Sequence, residues 1–276
     1  MDTSLVIGCA VHNNLKYTKM FIESIKSSYP VKMFIVDNGS TDDTYNWLNK
    51  SGFEFRSYKL NMGFSYAYND ALDYAFKTRK VNLLLWCGND IVFRPDSVDY
   101  LVQGMLETDY EILCGNEVLN KQILEDQPDA LKEFGYKFSF DEPKYDKLTT
   151  SYGGMNHSCI IRNKNSFDKV GYFDVNFYPA YFEDNDYARR CDLLGIKYGT
   201  VDSAIFYHFW SRTIYEGGIQ ALNKRKFDFN RRYYMEKWGG TPTHETYEKP
   251  FGGGDVVIKD RRFELEILKG HGVFLR

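Results

Sequence analysis

The feature that most constrains this chain is a series of short apolar runs, each ending in polar residues and each followed by an amphipathic stretch. "LVIGCAV", "KMFIVD", "FEFRSY" and "VNLLLWC" read as strands. The last has no polar face, as expected of a strand covered on both sides. Between them, "LKYTKMFIESIKSSY" puts Leu15, Thr18, Ile22, Ile25 and Tyr29 near one helical face. "STDDTYNWLNK" opens with Ser40 as its predicted N-cap and Asp43 three residues on. "FSYAYNDALDYAF" sets Phe64, Ala67, Ala71 and Ala75 on one stripe, and "SVDYLVQGML" and "YEILCG" continue as helix and strand. Strand and helix in alternation predict an α/β fold: a mostly parallel central sheet with helices on both faces.

From about residue 116 to 150 the chain becomes charged and weakly periodic, an excursion expected to run over the site. The sheet resumes with "HSCIIR", a short helix around "KNSFDKV", an acidic helix in "YFEDNDYARRCDLLG", and two late strands, "KYGTV" and "AIFYH". The main domain is therefore expected over 1–213. Residues 214–276 form a C-terminal helical extension containing the basic helix "LNKRKFDFNRRYYMEKW".

With 276 residues and 43% hydrophobic content, the chain can bury a sizeable core, which excludes global disorder. Its net charge of -3 carries no overall basic excess pointing to nucleic acid. The five cysteines form no CxxC pair, and Cys9, Cys87, Cys114 and Cys159, in apolar strand-like runs, read as buried free thiols of a reducing compartment. "MDTSLVIGCAV" lacks a basic n-region and reads as a first strand, not a signal peptide. No run approaches a membrane span. Together these predict a cytoplasmic protein.

Ligands of open parallel sheets bind outside the carboxyl ends of the strands. Here those ends are "AVHNN", "VDNGSTDDT", "LNMGF" and "WCGNDIVFRPD", repeatedly Asn, Asp and Gly. Neither GxGxxG nor GxxxxGK[ST] occurs, so a dinucleotide dehydrogenase and a P-loop enzyme are disfavoured. A bound nucleotide has to be held by side chains and a metal.

Taken with "NMGFSYAYNDAL", "GGMNHSCIIRNKNSFDKVGYFDVNFYPAYFEDNDYARR" and "AIFYHFWS", these pieces resemble the nucleotide-sugar glycosyltransferases of the GT-A fold, specifically the large inverting family two, over about residues 3 to 213. The resemblance implies that Ala10, His12 and Asn13 line the nucleoside and that Asp37, Asn38 and Asn61 meet base and ribose. Asn89 and Asp90 stand in the metal motif. It implies a UDP-sugar donor and Mn²⁺ or Mg²⁺ on Asp90 and His208, with Asp184 as the base that deprotonates the acceptor hydroxyl. Glu183, Gly154 and Phe182 fall on the acceptor side. Asn38, Gly88 and Asn89 depart from the family's acids.

Simpler roles stand beside these. Acids suit a helix N-terminus, Asp37 suits a turn, and His208 suits packing at a strand end. His157 reads as structural, Asn69 as capping. A saccharide or lipid-linked saccharide is the implied acceptor. The basic helix keeps hydroxymethylated bases of viral DNA open as an alternative. The missing acids leave a non-catalytic sugar-nucleotide-binding protein open. A nucleotidyltransferase would want a Gly-rich basic loop after the first strand, which "AVHNNLKY" does not offer.

Overall fold

Leu5, Ile7 and Cys9 turn to one side of the first strand and Val6 to the other, so the two faces of one strand feed two separate cores. The computed structural model describes residues 4–118, 147–151, 153–209, 218–261 and 264–273. Among these the strands are β1 (Leu5–Val11), β2 (Val31–Asp37), β3 (Glu54–Ser57), β4 (Leu83–Gly88), β5 (Ile91–Phe93), β6 (Ile112–Val118), β7 (Thr150–Ser151), β8 (Cys159–Asn163) and β9 (Tyr198–His208). They form one sheet in the order β3-β2-β1-β4-β8-β6-β9-β5, with β7 added beside β9.

The helices are α1 (Leu15–Ser24), α2 (Thr44–Ser51), α3 (Phe64–Leu72, continuing as a π-helical stretch Asp73–Arg79), α4 (Ser97–Glu107), α5 (Lys164–Val170), α6 (Glu183–Leu193), α7 (Gln220–Trp238) and α8 (Glu264–Gly270). One core holds Phe21 of α1 and Leu101 of α4 against Ile7 and Leu85. The other holds Ala67 and Ala71 of α3 and Tyr187 of α6 against Val6 and Trp86. Helices thus cover both faces, and strand β4 is buried on both sides, as the sequence predicts.

Several details differ from the sequence reading. Helix α1 ends at Ser24, so Ile25 caps it and Tyr29 lies beyond it. Helix α2 begins at Thr44, and Ser40 does not cap it; the Ser40 hydroxyl accepts the Asn13 N–H at 2.8 Å instead. Strand β8 runs antiparallel to both β4 and β6. The two expected late strands are one strand, β9, and the register shift opposite it lies between Gly115 and Asn116 of β6. The short strand β5, hidden within "WCGNDIVF", pairs antiparallel with the end of β9, setting Ile91 opposite His208. Of the 116–150 excursion, residues 119–146 lie outside the described residues, as do 210–217.

All five cysteines are free and buried. Cys9, Cys87 and Cys159 face one another in register across β1, β4 and β8, forming a row of thiols through the middle of the sheet.

Beyond β9, α7 packs Tyr234 and Trp238 onto Phe177, and α8 packs Leu268 onto Met62 and Tyr178. Phe227 of α7 remains exposed. Among the described residues, no helix is long and apolar enough to cross a membrane.

Candidate active site

A cleft of about 620 Å³ opens at the carboxyl ends of β1 and β4, where the topology places it. Of the residues singled out above, Ala10, His12, Asn38, Asn61, Asn89, Asp90, Gly154, Glu183, Asp184 and His208 line it. Three do not. The Asp37 carboxylate is buried behind the cleft, accepting the Ser40 N–H at 3.0 Å and the Ser57 hydroxyl at 2.7 Å. Asn13 accepts the N–H groups of Thr41 and Asp42 at 2.6 and 3.2 Å, bracing the loop after β2. Phe182 turns away to pack on Phe227 and Tyr234. Asn69 also lies off the cleft. It is fully buried, accepts the Phe173 N–H at 2.8 Å and donates to Glu264 at 2.7 Å.

The loops after β1, β2 and β3 are tied to one another at one end of the cleft. Asn38 donates to Asn61 Oδ1 at 3.1 Å and to the Gly63 carbonyl at 3.2 Å, and accepts the Met62 N–H at 2.7 Å. Its own carbonyl lies 2.9 Å from His12 Nδ1. A carboxylate there could accept but not donate, so the departure from an acid has a structural reason. Gly63 is held at φ 85, and a Cβ on it would lie 2.9 Å from the Tyr178 ring, so only glycine lets this loop meet the Tyr178–Pro179 turn.

Asp90 and His208 meet because β5 pairs with β9. His208 Nε2 lies 3.3 Å from Asp90 Oδ1, and Nδ1 lies 3.1 Å from Glu117 Oε1. Burial lowers the His208 pKa, but its bonds to Asp90 and Glu117 outweigh this and raise it to about 9. A Cβ at Gly88 would sit 2.9 Å from Asp90 Oδ1, so the bare glycine leaves this carboxylate its space. Asn89 turns its amide to Thr18 Oγ1 at 3.1 Å, tying the motif to α1. Glu117 was missed in the sequence, although its signal was there: β6 ends "CGNE" as β4 ends "CGND".

No group of three or more candidate metal ligands occurs among the described residues. Asp90 and His208 would fit a divalent cation as one carboxylate and one imidazole donor once the cation displaced the proton that Asp90 and Glu117 hold on His208.

At the opposite end, α6 begins with Glu183 and Asp184. Tyr181 and Phe182 before it both have left-handed backbone, φ 77 and 72. That is costly for residues with side chains, of order 1–3 kcal/mol each. Burial raises the pKa of both acids, and for Glu183 the Asp184 charge adds to the rise. Glu183 Oε2 has no hydrogen-bond partner among the described residues. His157 lines the same end. Burial, then the Arg162 guanidinium, holds its pKa down to about 3, so it is neutral at ordinary pH. Both its ring nitrogens are buried and without hydrogen-bond partners among the described residues.

Two residues further on, Asp186 is fully buried and fully engaged. It takes Arg190 Nε at 3.0 Å, Trp238 Nε1 at 2.9 Å and Lys237 Nζ at 2.7 Å, and Lys237 also reaches Asp174 at 2.6 Å. These contacts join α6 to α7, so the acidic helix is anchored by the C-terminal extension.

Residues 7–171 match the model of the family described as Glycosyl transferase family 2. A galactofuranosyl glycosyltransferase of Leishmania donovani is 24% identical over 205 residues, covering 64% of this chain and 47% of that relative, so the chain spans about half the relative's length. Among solved structures, the mannosyltransferase PcManGT of Pyrobaculum calidifontis, in complex with GDP-Man and Mn²⁺, superposes with a TM-score of 0.56 at 13% identity, over 80% of this chain and 60% of that one. S. aureus TarS 1-349 in complex with UDP-GlcNAc gives 0.53 at 14% identity, over 74% and 58%. These likenesses show the GT-A fold, and the family match places the chain in glycosyl transferase family 2.

Proposed function

We propose that this protein transfers a sugar from a UDP-sugar to an acceptor hydroxyl with inversion at the anomeric carbon, Asp184 acting as general base. The observation that carries this reading is the convergence of the Asp90–His208 pair and Asp184 on one cleft. The nucleoside lies along Ala10, His12, Asn38 and Asn61, and the diphosphate faces Asp90. Asp184, its pKa raised by burial, takes the proton of the acceptor hydroxyl. The freed oxygen attacks the anomeric carbon, the bond to the phosphate breaks on the opposite face, and the nucleoside diphosphate departs with the electron pair. Glu183, with one carboxylate oxygen unpaired among the described residues, orients the acceptor. A divalent cation held by Asp90 and His208, Mn²⁺ or Mg²⁺, would neutralise charge growing on the departing diphosphate.

The TarS complexes with UDP and UDP-GlcNAc support a uridine donor, and the Mn²⁺ in PcManGT supports the metal. Calorimetry tests both. UDP should bind at least tenfold more tightly with Mn²⁺ than with chelator, and more tightly than GDP. Equal affinity in chelator would remove the metal from the reading, and no UDP binding under any condition would overturn it.

A further inference from the structure

The geometry points to Glu117 as a positioning residue for the cation site: from behind the cleft it fixes the His208 imidazole so that Nε2 faces Asp90 and the cation the two would share. This rests on the metal reading proposed above and adds a residue set behind the two ligands.

Strands β6 and β9 run parallel with Glu117 opposite Phe206. His208 lies two residues beyond Phe206 and so shares its face of the strand, which brings the imidazole beside Glu117. The ring is gripped at both nitrogens: Nδ1 lies 3.1 Å from Glu117 Oε1, and Nε2 lies 3.3 Å from Asp90 Oδ1. The two carboxylates are not equivalent. Asp90 and His208 line the cleft, and Glu117 is not among the lining residues. The second oxygen of Glu117 is also engaged, accepting from the side-chain amide of Asn156. Asn156 is itself fixed at two points. Its amide oxygen accepts the Ser158 N–H at 2.9 Å, and its own N–H is donated to Cys114 Sγ at 3.1 Å. The loop before β8 thus holds Glu117, and Glu117 holds His208.

An imidazole binds a metal through the lone pair of one nitrogen, while a hydrogen bond at the other sets the tautomer and the plane of the ring. A carboxylate oxygen at Nδ1 accepts, so Nδ1 keeps its proton and Nε2 is the nitrogen left to the cation. The arrangement matters more here than in a richer site. Gly88 and Asn89 supply no carboxylate to the motif, so His208 is one of only two protein donors, and its orientation governs half of the protein's share of the ligation. The acid at 117 also has a reason. Both of its neighbours donate to it, and a carboxylate accepts from both, whereas the amide of a glutamine offers a single acceptor oxygen. A purely structural tie between β6 and β9 is the competing role; it predicts lost stability with cation affinity unchanged.

Two measurements on the whole protein with UDP in excess test this. Electron paramagnetic resonance of free Mn²⁺ gives the cation affinity. Glu117→Ala should weaken it by about 10- to 100-fold and Glu117→Gln by less, while UDP affinity in chelator stays the same. Circular dichroism melts confirm that each variant is folded. In the second measurement the unaltered protein is studied by NMR with UDP and diamagnetic Mg²⁺. His208 should show an Nδ1–H proton protected from exchange with water, and Glu117→Ala should lose that protection. The inference is overturned if folded Glu117→Ala binds Mn²⁺ as tightly as the unaltered protein. It is equally overturned if, with Mg²⁺ bound, the unaltered protein carries its His208 ring proton on Nε2 or shows no protected Nδ1–H, a result that needs no variant to fold. Where the unaltered protein binds no Mn²⁺ at all, the metal reading falls and takes this inference with it; where it binds Mn²⁺ and Glu117→Ala binds it equally, this inference falls alone.

Discussion

The two ends of the cleft are built by different means. At the proposed nucleotide end, loops brace one another through neutral amides and backbone groups, chiefly Asn13, Asn38 and Asn61, which fall within the stretch that matches the family, with Tyr178 and Pro179 meeting them from just beyond it. At the acid end, the loop before α6 carries left-handed backbone, and its anchors come from α7, beyond the matching stretch. The contrast is sharpest between Asp184 and Asp186. One carboxylate faces the cleft, and burial raises its pKa. The other is enclosed by Lys237, Arg190 and Trp238. Within one helical turn, the acid supplied with cations is structural, while burial raises the pKa of its neighbour, as the proposed general base requires.

Removing the basic member of that pair should produce the largest effect. Asp184→Asn should lower the transfer rate by on the order of 10² to 10⁴ while leaving the melting temperature nearly unchanged, as read by turnover and circular dichroism. A companion measurement concerns pH. The ionised carboxylate is the active form and its pKa is raised, so activity should be lost as pH falls through a value above the ordinary aspartate range, near 3.9. An acid limb of kcat/KM at the ordinary value, or near-normal turnover of Asp184→Asn, would make Asp184 as structural as its neighbour.

Lys237→Met attacks the structural member. Asp174 and Asp186 would lose their shared cation while remaining buried, and breaking a buried pair from one side costs about 3–5 kcal/mol. Urea unfolding should register that loss, and transfer should fall more than UDP affinity does. If UDP affinity fell equally, the two ends would not be separate constructions.

Asn38→Asp makes the converse change at the nucleotide end. It loses two donated hydrogen bonds and should cost about 1–3 kcal/mol, visible as weaker UDP binding by calorimetry, with the acid end undisturbed. An unchanged affinity would show that the loop 61–63 does not need this brace.

The sequence disclosed the sheet, the helices on both faces and most of the cleft, because alternating apolar runs and polar strand ends are local patterns. What it concealed was long-range. Ser40 looks like an N-cap in its own segment, and only the approach of Asn13 gives its hydroxyl another task. "KYGTV" and "AIFYH" look like two strands because Asp202 and Ser203 interrupt the apolar run, yet the backbone continues through them. Glu117 stands in "CGNE", an echo of "CGND", but its partner His208 is fixed only when β6 lies beside β9. The exchange between Tyr181 and Phe182, with the first on the cleft and the second packed away, follows from left-handed dihedrals that no periodicity encodes. Lys237 sits in a strongly basic helix and reads as a solvated charge, until Asp174 and Asp186 fold around it.

The row of Cys9, Cys87 and Cys159 gives the molecule an internal clock. Burial raises the pKa of Cys9 and Cys87, so almost no thiolate is presented while the sheet is closed. An alkylating reagent must therefore wait for β1, β4 and β8 to part, and its rate counts openings of the sheet's centre. Cys191 lies on α6 itself, so alkylation confined to Cys191 marks a detached acid end, whereas alkylation of the central row marks an opened sheet.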